Sequence, residues 1–516
     1  MLLALALWAW WISRDLPFPI GRPHQLGWDI IAFSRQIDGL PTARPNTSNL
    51  ENPIVRLGVF CFRHFGRRSW SMTLAQAPFL ALLVLSSGLL AWRLGGPAAG
   101  ALAPWIAALA PMTVGLAVSL DDLTPMQAMI TAALAALAWS SRPRRQWAAL
   151  LALPCIVFGA RTTIWASTGL WFLLIFAVAV VCLVIWLWID WRLRAHDNEV
   201  LLSRRSTWLG APWPAALGAA LALLGGLAVF WPLPTHYLLR EASRSELARL
   251  NWRHDYTVLL VGLVTWFRFH AGPVLGCLTL AGLAVAARRR VHACLPLLGW
   301  VFLPALLIAF LNKRHDFYLV NAVPGTYALA AVGLASLRDV KLRRWIAVLA
   351  VVLLASAWLG VMAHGAVKPS GRFSQMFEGQ ITPYLWSPYD FPRDGLDIMA
   401  GQFLAEKCGA RKMTVVIARR GVIRGSSAFH AWLFDRKMPI LELRSPPKLS
   451  STPVCLVLDD YNPATTPLAQ WLRGILTANN INAPAVDEYV NDLLARAPHF
   501  WAKRIYNVTI LVEGRR

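Results

Sequence analysis

Charge is scarce in this chain: of 516 residues only 15% are charged, while 57% are hydrophobic. That balance excludes a disordered chain and a soluble enzyme of ordinary composition. Acidic residues are the scarcest, 27 Asp+Glu against 50 Lys+Arg. Several familiar signatures are missing as well, with no P-loop, no GxGxxG opening a helix after a strand, no HExxH and no GxSxG, which argues against an ATP-driven pump. The seven cysteines, at 61, 155, 182, 277, 294, 408 and 455, form no CxxC pair. Neither a zinc site nor a dense disulfide framework follows, and Cys408 with Cys455 is the one pairing left open.

What the chain does have is long apolar runs and 26 Trp. A spanning helix needs about 20 apolar residues to cross roughly 30 Å of hydrocarbon. Eleven candidate spans satisfy this approximately, at 1–14, 73–93, 97–119, 123–140, 146–160, 164–190, 211–232, 257–287, 291–312, 317–336 and 343–364. The first is short, without a basic leader or a small-x-small cleavage site, and reads as an anchor rather than a signal peptide. The fold class is therefore a polytopic α-helical membrane protein with about eleven transmembrane helices.

The positive charge of +23 reports topology rather than a nucleic-acid footprint, because basic residues gather in alternate short loops. One set holds Arg93, Arg142 to Arg145, Arg192 to Arg205, Arg288 to Arg290 and Arg338 to Arg344, and is placed in the cytoplasm. The opposite set is expected outside: segment 15–72, the Asp121-Asp122 turn, the Arg161 turn, segment 233–256, the Lys313–Asp316 turn and everything after 364. Segment 15–72 carries Arg22, Arg35, Arg44, Arg56, Arg63, Arg67 and Arg68, a departure that long loops tolerate and that anionic lipid phosphates would explain. After residue 364 the chain has 19 Lys+Arg and 13 Asp+Glu and no further spanning run. Its β-rich runs KMTVVIAR, PILEL, PVCLVLDD and YNVTILVEG, with helical candidates near 421–434 and 465–479, predict a soluble α/β domain over 365–516.

Four polar clusters stand at the outer ends of spans, where ionisable groups near hydrocarbon are costly and serve a pathway or a site. Asp29, in GWDIIAFSRQIDG, is a candidate general base or metal ligand; its other reading is a solvated or Arg-paired carboxylate on an interfacial helix. Asp121 and Asp122, in SLDDLTP, suit cation coordination, substrate hydroxyls or plain helix capping. Arg161, in GARTTIWAS, either holds phosphate or snorkels to headgroups. Lys313, Arg314 and His315 form a cationic cluster where the charge rule prefers none. A phosphate-bearing ligand explains it, as does partial neutralisation by Asp316.

In order, these segments resemble the GT-C superfamily of membrane glycosyltransferases, in particular glycosyltransferase family 39, with its protein O-mannosyltransferases and lipid A aminoarabinose transferases. GWDIIAFSRQIDGLP is similar to the family's first-loop acidic motif, and NPIVRLGVFCFRHFG to the amphipathic segment after it. LAPMTVGLAVSLDDLTPMQAMITAALAALAW resembles its span, acidic turn and span; GARTTIWASTGLWFLL its basic turn; and KRHDFYLVNAVPGTYALAAVGL its basic-aromatic-Pro segment. The resemblance covers about residues 20–340. Ile30 stands where the family often has a second acid, which bears on metal binding in that loop.

The resemblance implies a GT-C-like catalytic module over 1–364, with 15–72 as a first periplasmic loop bearing amphipathic helices. It implies transfer of a sugar from a polyprenyl-phosphate donor to a lipid, glycan or protein acceptor hydroxyl, with inversion. Asp29 would be the catalytic base and Asp121 or Asp122 would bind donor, metal or acceptor. Arg161, Lys313, Arg314 and, more weakly, His315 would hold the lipid phosphate. Magnesium or manganese would suit the hard oxygens of Asp29, Asp121 and Asp122, though the sequence leaves metal dependence open. The expected location is the bacterial inner membrane, multi-pass, with membrane lipids as partners, no nucleic acid, and the C-terminal domain in the periplasm. A transporter or flippase for lipid-linked glycans, or an O-antigen ligase or polymerase, would use the same outer cations. A transporter would place charges near mid-span, for which Arg268 and His270 are the main candidates.

Overall fold

The structure, a computed structural model, describes residues 30, 33–34, 36–39, 52–66, 71–72, 74–110, 113, 122–142, 144–163, 166–197, 212–230, 272–289, 291–310, 321–364, 403–409, 413–418, 440–442, 453–459, 461, 466–478, 483–505 and 508–514. The chain divides into two compact units, Met1–Trp11 with Gln76–Tyr389, and Ile12–Ala75 with Asp390–Arg516. The expected first span and the helical candidate at 421–434 lie outside the described residues.

The first unit is helical. Its elements are α2 (Ala77–Gly95), α3 (Pro97–Leu109), α4 (Leu123–Ser140), α5 (Ala152–Thr162, entered through a 3-10 turn at Gln146–Leu151), α6 (Ala166–Asp197), α7 (Trp213–Val229), α8 (Gly272–Arg289), α9 (Val291–Phe310), α10 (Val323–Ala335) and α11 (Val340–His364). Among the described residues, Leu74–Gly95, Leu123–Ser140 and Gly169–Leu193 are long and apolar enough to cross a membrane, and six shorter apolar helices accompany them. Large apolar side chains such as Leu85, Val181, Leu224, Val348 and Leu349 are exposed, as lipid-facing positions of a membrane bundle are.

Contacts fix which helix ends lie together. Arg93 near the end of α2 reaches Ala138 and Ser141 at the end of α4, and Asp190 late in α6. A Cβ on Gly95 would lie 2.8 Å from Val332 of α10. The C-terminal ends of α2, α4, α6 and α10 therefore share one end of the unit, and the starts of α4 and α10 share the other.

Arg93, read from sequence as a topological cation, is internal. Its side chain is 4% exposed; Nε donates to the Ala138 carbonyl at 3.1 Å, and Nη2 donates to Ser141 Oγ at 2.9 Å and Asp190 Oδ2 at 3.0 Å. The guanidinium lies 4.8 Å from the Trp186 ring centroid, a cation–π contact. Beside it, Trp139 donates to the Leu89 carbonyl at 2.9 Å and meets Trp92 edge-on.

Helix α10 is central. Every residue from Val323 to Leu334 is buried, and its small residues let neighbouring backbones close in, as in membrane helix packing generally. A Cβ on Gly333 would fall on Gly282 of α8, 2.6 Å from its carbonyl carbon. Gly333→Ala is expected to destabilise by about 2 kcal/mol, the usual scale of overpacking a closed core. Thermal unfolding in detergent checks this, and an unchanged midpoint would mean that α8 and α10 separate freely.

In the second unit, α1 (Pro53–His64) starts at Asn52, whose side chain accepts from Ile54 N at 2.9 Å, an N-cap of the ordinary kind with Pro at the first helical position. Ile54, Val55, Gly58, Cys61 and Phe62 form its buried face, with Ile30 packed on Gly58, while Phe60 and Phe65 are exposed. Burial pushes the Cys61 thiol above its ordinary pKa, so it is an inert packing residue. Further along the chain, a five-stranded sheet has the order β2-β1-β3-β5-β4. The strands are β1 (Thr414–Ala418), β2 (Ile440–Glu442), β3 (Val454–Asp459), β4 (Phe500–Ile505) and β5 (Val508–Glu513). β1 runs parallel to β2 and β3, whereas β5 is antiparallel to β3 and β4. Helices α12 (Leu468–Ala478) and α13 (Ala483–Arg496) supply Leu472, Val490 and Leu493 to a core with Val454, Leu456, Leu458 and Leu511. Cys408 and Cys455, the pairing left open by the sequence, form a disulfide.

Candidate functional site

Because α4 starts at the end opposite Arg93, Asp122 stands at that end of the helical unit. Asp122 is the N-cap of α4, 8% exposed, with its main-chain carbonyl accepting from Met126 N at 3.2 Å. Its carboxylate makes no capping hydrogen bond to the helix. It still stands at the positive end of α4, where an anion is stabilised by about 0.3–1 kcal/mol. Inward from it, Thr124, Gln127 and Thr131 are fully buried, and the Thr131 hydroxyl donates to the Gln127 carbonyl at 2.6 Å.

Arg161 stands in the last turn of α5, exposed. The helix end beneath it is held firmly, since a Cβ on Gly159 would lie 2.5 Å from Phe172 Cζ and 3.2 Å from Met129 Cβ. Met129 belongs to α4, seven residues after Asp122, so the end of α5 lies towards the Asp122 end of the unit. Thr162 and Thr163 donate to the Gly159 and Ala160 carbonyls at 2.7 and 2.8 Å, filling acceptors that a helix end leaves open. The exposed guanidinium can then bind an anion without being needed by the helix.

Two further contacts belong to α10. The hydroxyls of Thr113 and Tyr327 lie 3.0 Å apart in the buried interior. Asn321, just before the helix, is 1% exposed, and its main-chain carbonyl accepts from the Trp300 indole N–H at 3.1 Å. Sequence reasoning singled out none of Thr113, Gln127, Asn321 or Tyr327. Their signal was a polar side chain inside an apolar run, which alone does not separate a site from a satisfied interior group.

Of the residues expected from sequence, the structure brings Asp122 and Arg161 to the same end of the unit. Asp29, Asp121, Lys313, Arg314 and His315 lie outside the described residues. Ile30, next to Asp29, is anchored on Gly58. Among the described residues no group of three or more His, Cys, Asp or Glu is gathered. Asp29 and Asp121, the other hard oxygens expected to suit magnesium or manganese, lie outside the described residues.

No family model and no curated protein matches this chain. Solved structures do. ArnT from Cupriavidus metallidurans in the apo state is 15% identical, covers 100% of this chain and 98% of its own, and superposes with a TM-score of 0.56. The same protein bound to undecaprenyl phosphate is 14% identical, with coverage of 100% and 99% and a TM-score of 0.56. The archaeal oligosaccharyltransferase AglB from Archaeoglobus fulgidus, in complex with an inhibitory peptide and a dolichol-phosphate, is 12% identical, with coverage of 100% and 74% and a TM-score of 0.46. The end-to-end match shows that this chain shares the fold of ArnT.

Proposed function

We propose that the chain is a membrane glycosyltransferase that moves a sugar from a polyprenyl-phosphate donor to an acceptor hydroxyl at the periplasmic face, with inversion. The observation that carries this reading is the full-length likeness in fold to a protein solved with undecaprenyl phosphate. The disulfide between Cys408 and Cys455 supports an oxidising compartment for the C-terminal unit, hence the periplasm and an inner-membrane location.

In this mechanism Asp29 takes the acceptor's hydroxyl proton as the acceptor oxygen attacks the anomeric carbon. The bond from that carbon to the phosphate oxygen breaks, and its electron pair leaves with the phosphate. Positive charge grows on the sugar and negative charge on the departing phosphate, so Arg161, Lys313, Arg314 and His315 stabilise the transition state more than the ground state. Asp121 and Asp122 orient donor or acceptor hydroxyls. A single displacement inverts the anomeric configuration.

The test is transfer of radiolabelled sugar from a polyprenyl-phosphate donor pool to cell-envelope acceptors by the protein in liposomes. Arg161→Ala is expected to weaken donor binding about tenfold, the loss of a charge-assisted hydrogen bond, with Arg161→Lys intermediate. Donor binding without transfer would point instead to transport of lipid-linked glycans.

A further inference from the structure

Asn321 is a buried polar residue that the mechanism above does not use, and it is held unusually firmly. Trp300 binds its main-chain carbonyl. One turn later, the backbone at Gly325 runs so close that a Cβ would lie 3.1 Å from Trp300 Cε3 and 2.8 Å from Val301 Cγ2. Yet among the described residues the side-chain oxygen Oδ1 is buried with no hydrogen-bond partner, an arrangement native interiors seldom leave unfilled. Beside it the start of α10 has no side-chain cap, Ala322 being the N-cap. In sequence Asn321 lies five residues after Asp316, the last residue of the Lys313–Asp316 cluster.

We propose that Asn321 binds the sugar of the donor, its Oδ1 accepting a hydrogen bond from a sugar hydroxyl. This rests on the transferase reading and adds a residue for recognising the transferred group. The chemistry selects the sugar over the phosphate: an amide oxygen needs a donor, and an ionised phosphate diester has none, whereas a sugar ring carries several. Trp300 and the close approach at Gly325 hold the backbone that carries this side chain, which lowers the ordering cost that opposes binding.

The experiment measures thermal stabilisation of the full chain in detergent by undecaprenyl phosphate, and by undecaprenyl phosphate carrying glucose, mannose or aminoarabinose. Wild type is expected to gain an increment with a sugar-bearing lipid beyond that from the bare lipid phosphate. Asn321→Ala should lose that increment and bind the sugar-bearing lipid about tenfold more weakly, the scale of one hydrogen bond left unmade, with its response to undecaprenyl phosphate intact. Asn321→Asp, which keeps the acceptor, should retain most of the increment. A full increment in Asn321→Ala, as expected if only a water sits on Oδ1, would overturn the inference alone. A large loss of unliganded stability in that variant, without change in the increment, would assign Asn321 a structural role and overturn it equally. Wild type stabilised by none of these lipids would overturn the transferase reading together with the inference.

Discussion

Asp29→Asn in liposome-reconstituted protein is expected to lower sugar transfer about a thousandfold, the range of a positioned general base, with insertion, melting temperature and undecaprenyl-phosphate binding unchanged. The amide is nearly isosteric with the carboxylate but cannot take the acceptor proton, so the loss should fall on kcat rather than on the donor's KM. The local frame should survive, because the neighbouring Ile30 is anchored on Gly58 and Asn52 caps the helix that carries it. Normal turnover by the variant would remove Asp29 as the base and leave Asp121 and Asp122 as the acids to test.

The second large effect is on stability. Arg93→Ala is expected to cost about 3–5 kcal/mol, the scale of breaking a buried ion pair by deleting one partner. The guanidinium ties three helices at once, through Ala138 and Ser141 on the α4 side and Asp190 of α6. Without it, Asp190 loses its cationic partner at 3.0 Å, and the Trp186 ring loses the cation above it. Arg93→Lys should recover only part, since an ammonium cannot reproduce the planar fork that reaches Ala138, Ser141 and Asp190 together. Thermal unfolding in detergent reads both variants, and Asp190→Asn combined with Arg93→Ala measures their coupling. A loss below about 1 kcal/mol, the value of an exposed pair, would show that the contact is solvated.

How far the sequence carried depends on what kind of signal each element has. Leu123–Ser140 was legible to the residue because Asp121-Asp122 and the Arg142 cluster bracket an apolar run. By contrast, α10 is described from Val323, where Pro324 fits a first helical turn, and residues 317–320 of the expected span lie outside the described residues. In the second unit, the strand runs at 412–419, 439–443, 453–460 and 506–514 each contain a strand. β4 was missed because FWAKRI places charges within a short strand. α13 was missed although Val486, Val490, Leu493 and Leu494 carry a helical period. At the site, Asp122 and Arg161 were legible because charge stands out in an apolar context. Asn321, Gln127 and Tyr327 were not, since uncharged polar groups have no topological signature and only packing shows that they are buried.

The burial of α10 bears on how the protein is made. At 13 residues it is about 20 Å long, short of the roughly 30 Å hydrocarbon layer, and none of its residues from Val323 to Leu334 faces lipid. Buried among its neighbours, it is held in the membrane as part of an assembly. Its partners include α2 and α8, and α2 is synthesised more than 200 residues earlier, so the helical unit closes only after translation has passed residue 335. Until then the small-residue face of α8 and the flank of α2 at Gly95 stand open to lipid and to chaperones. Chains arrested before α10 are therefore exposed to proteolytic quality control.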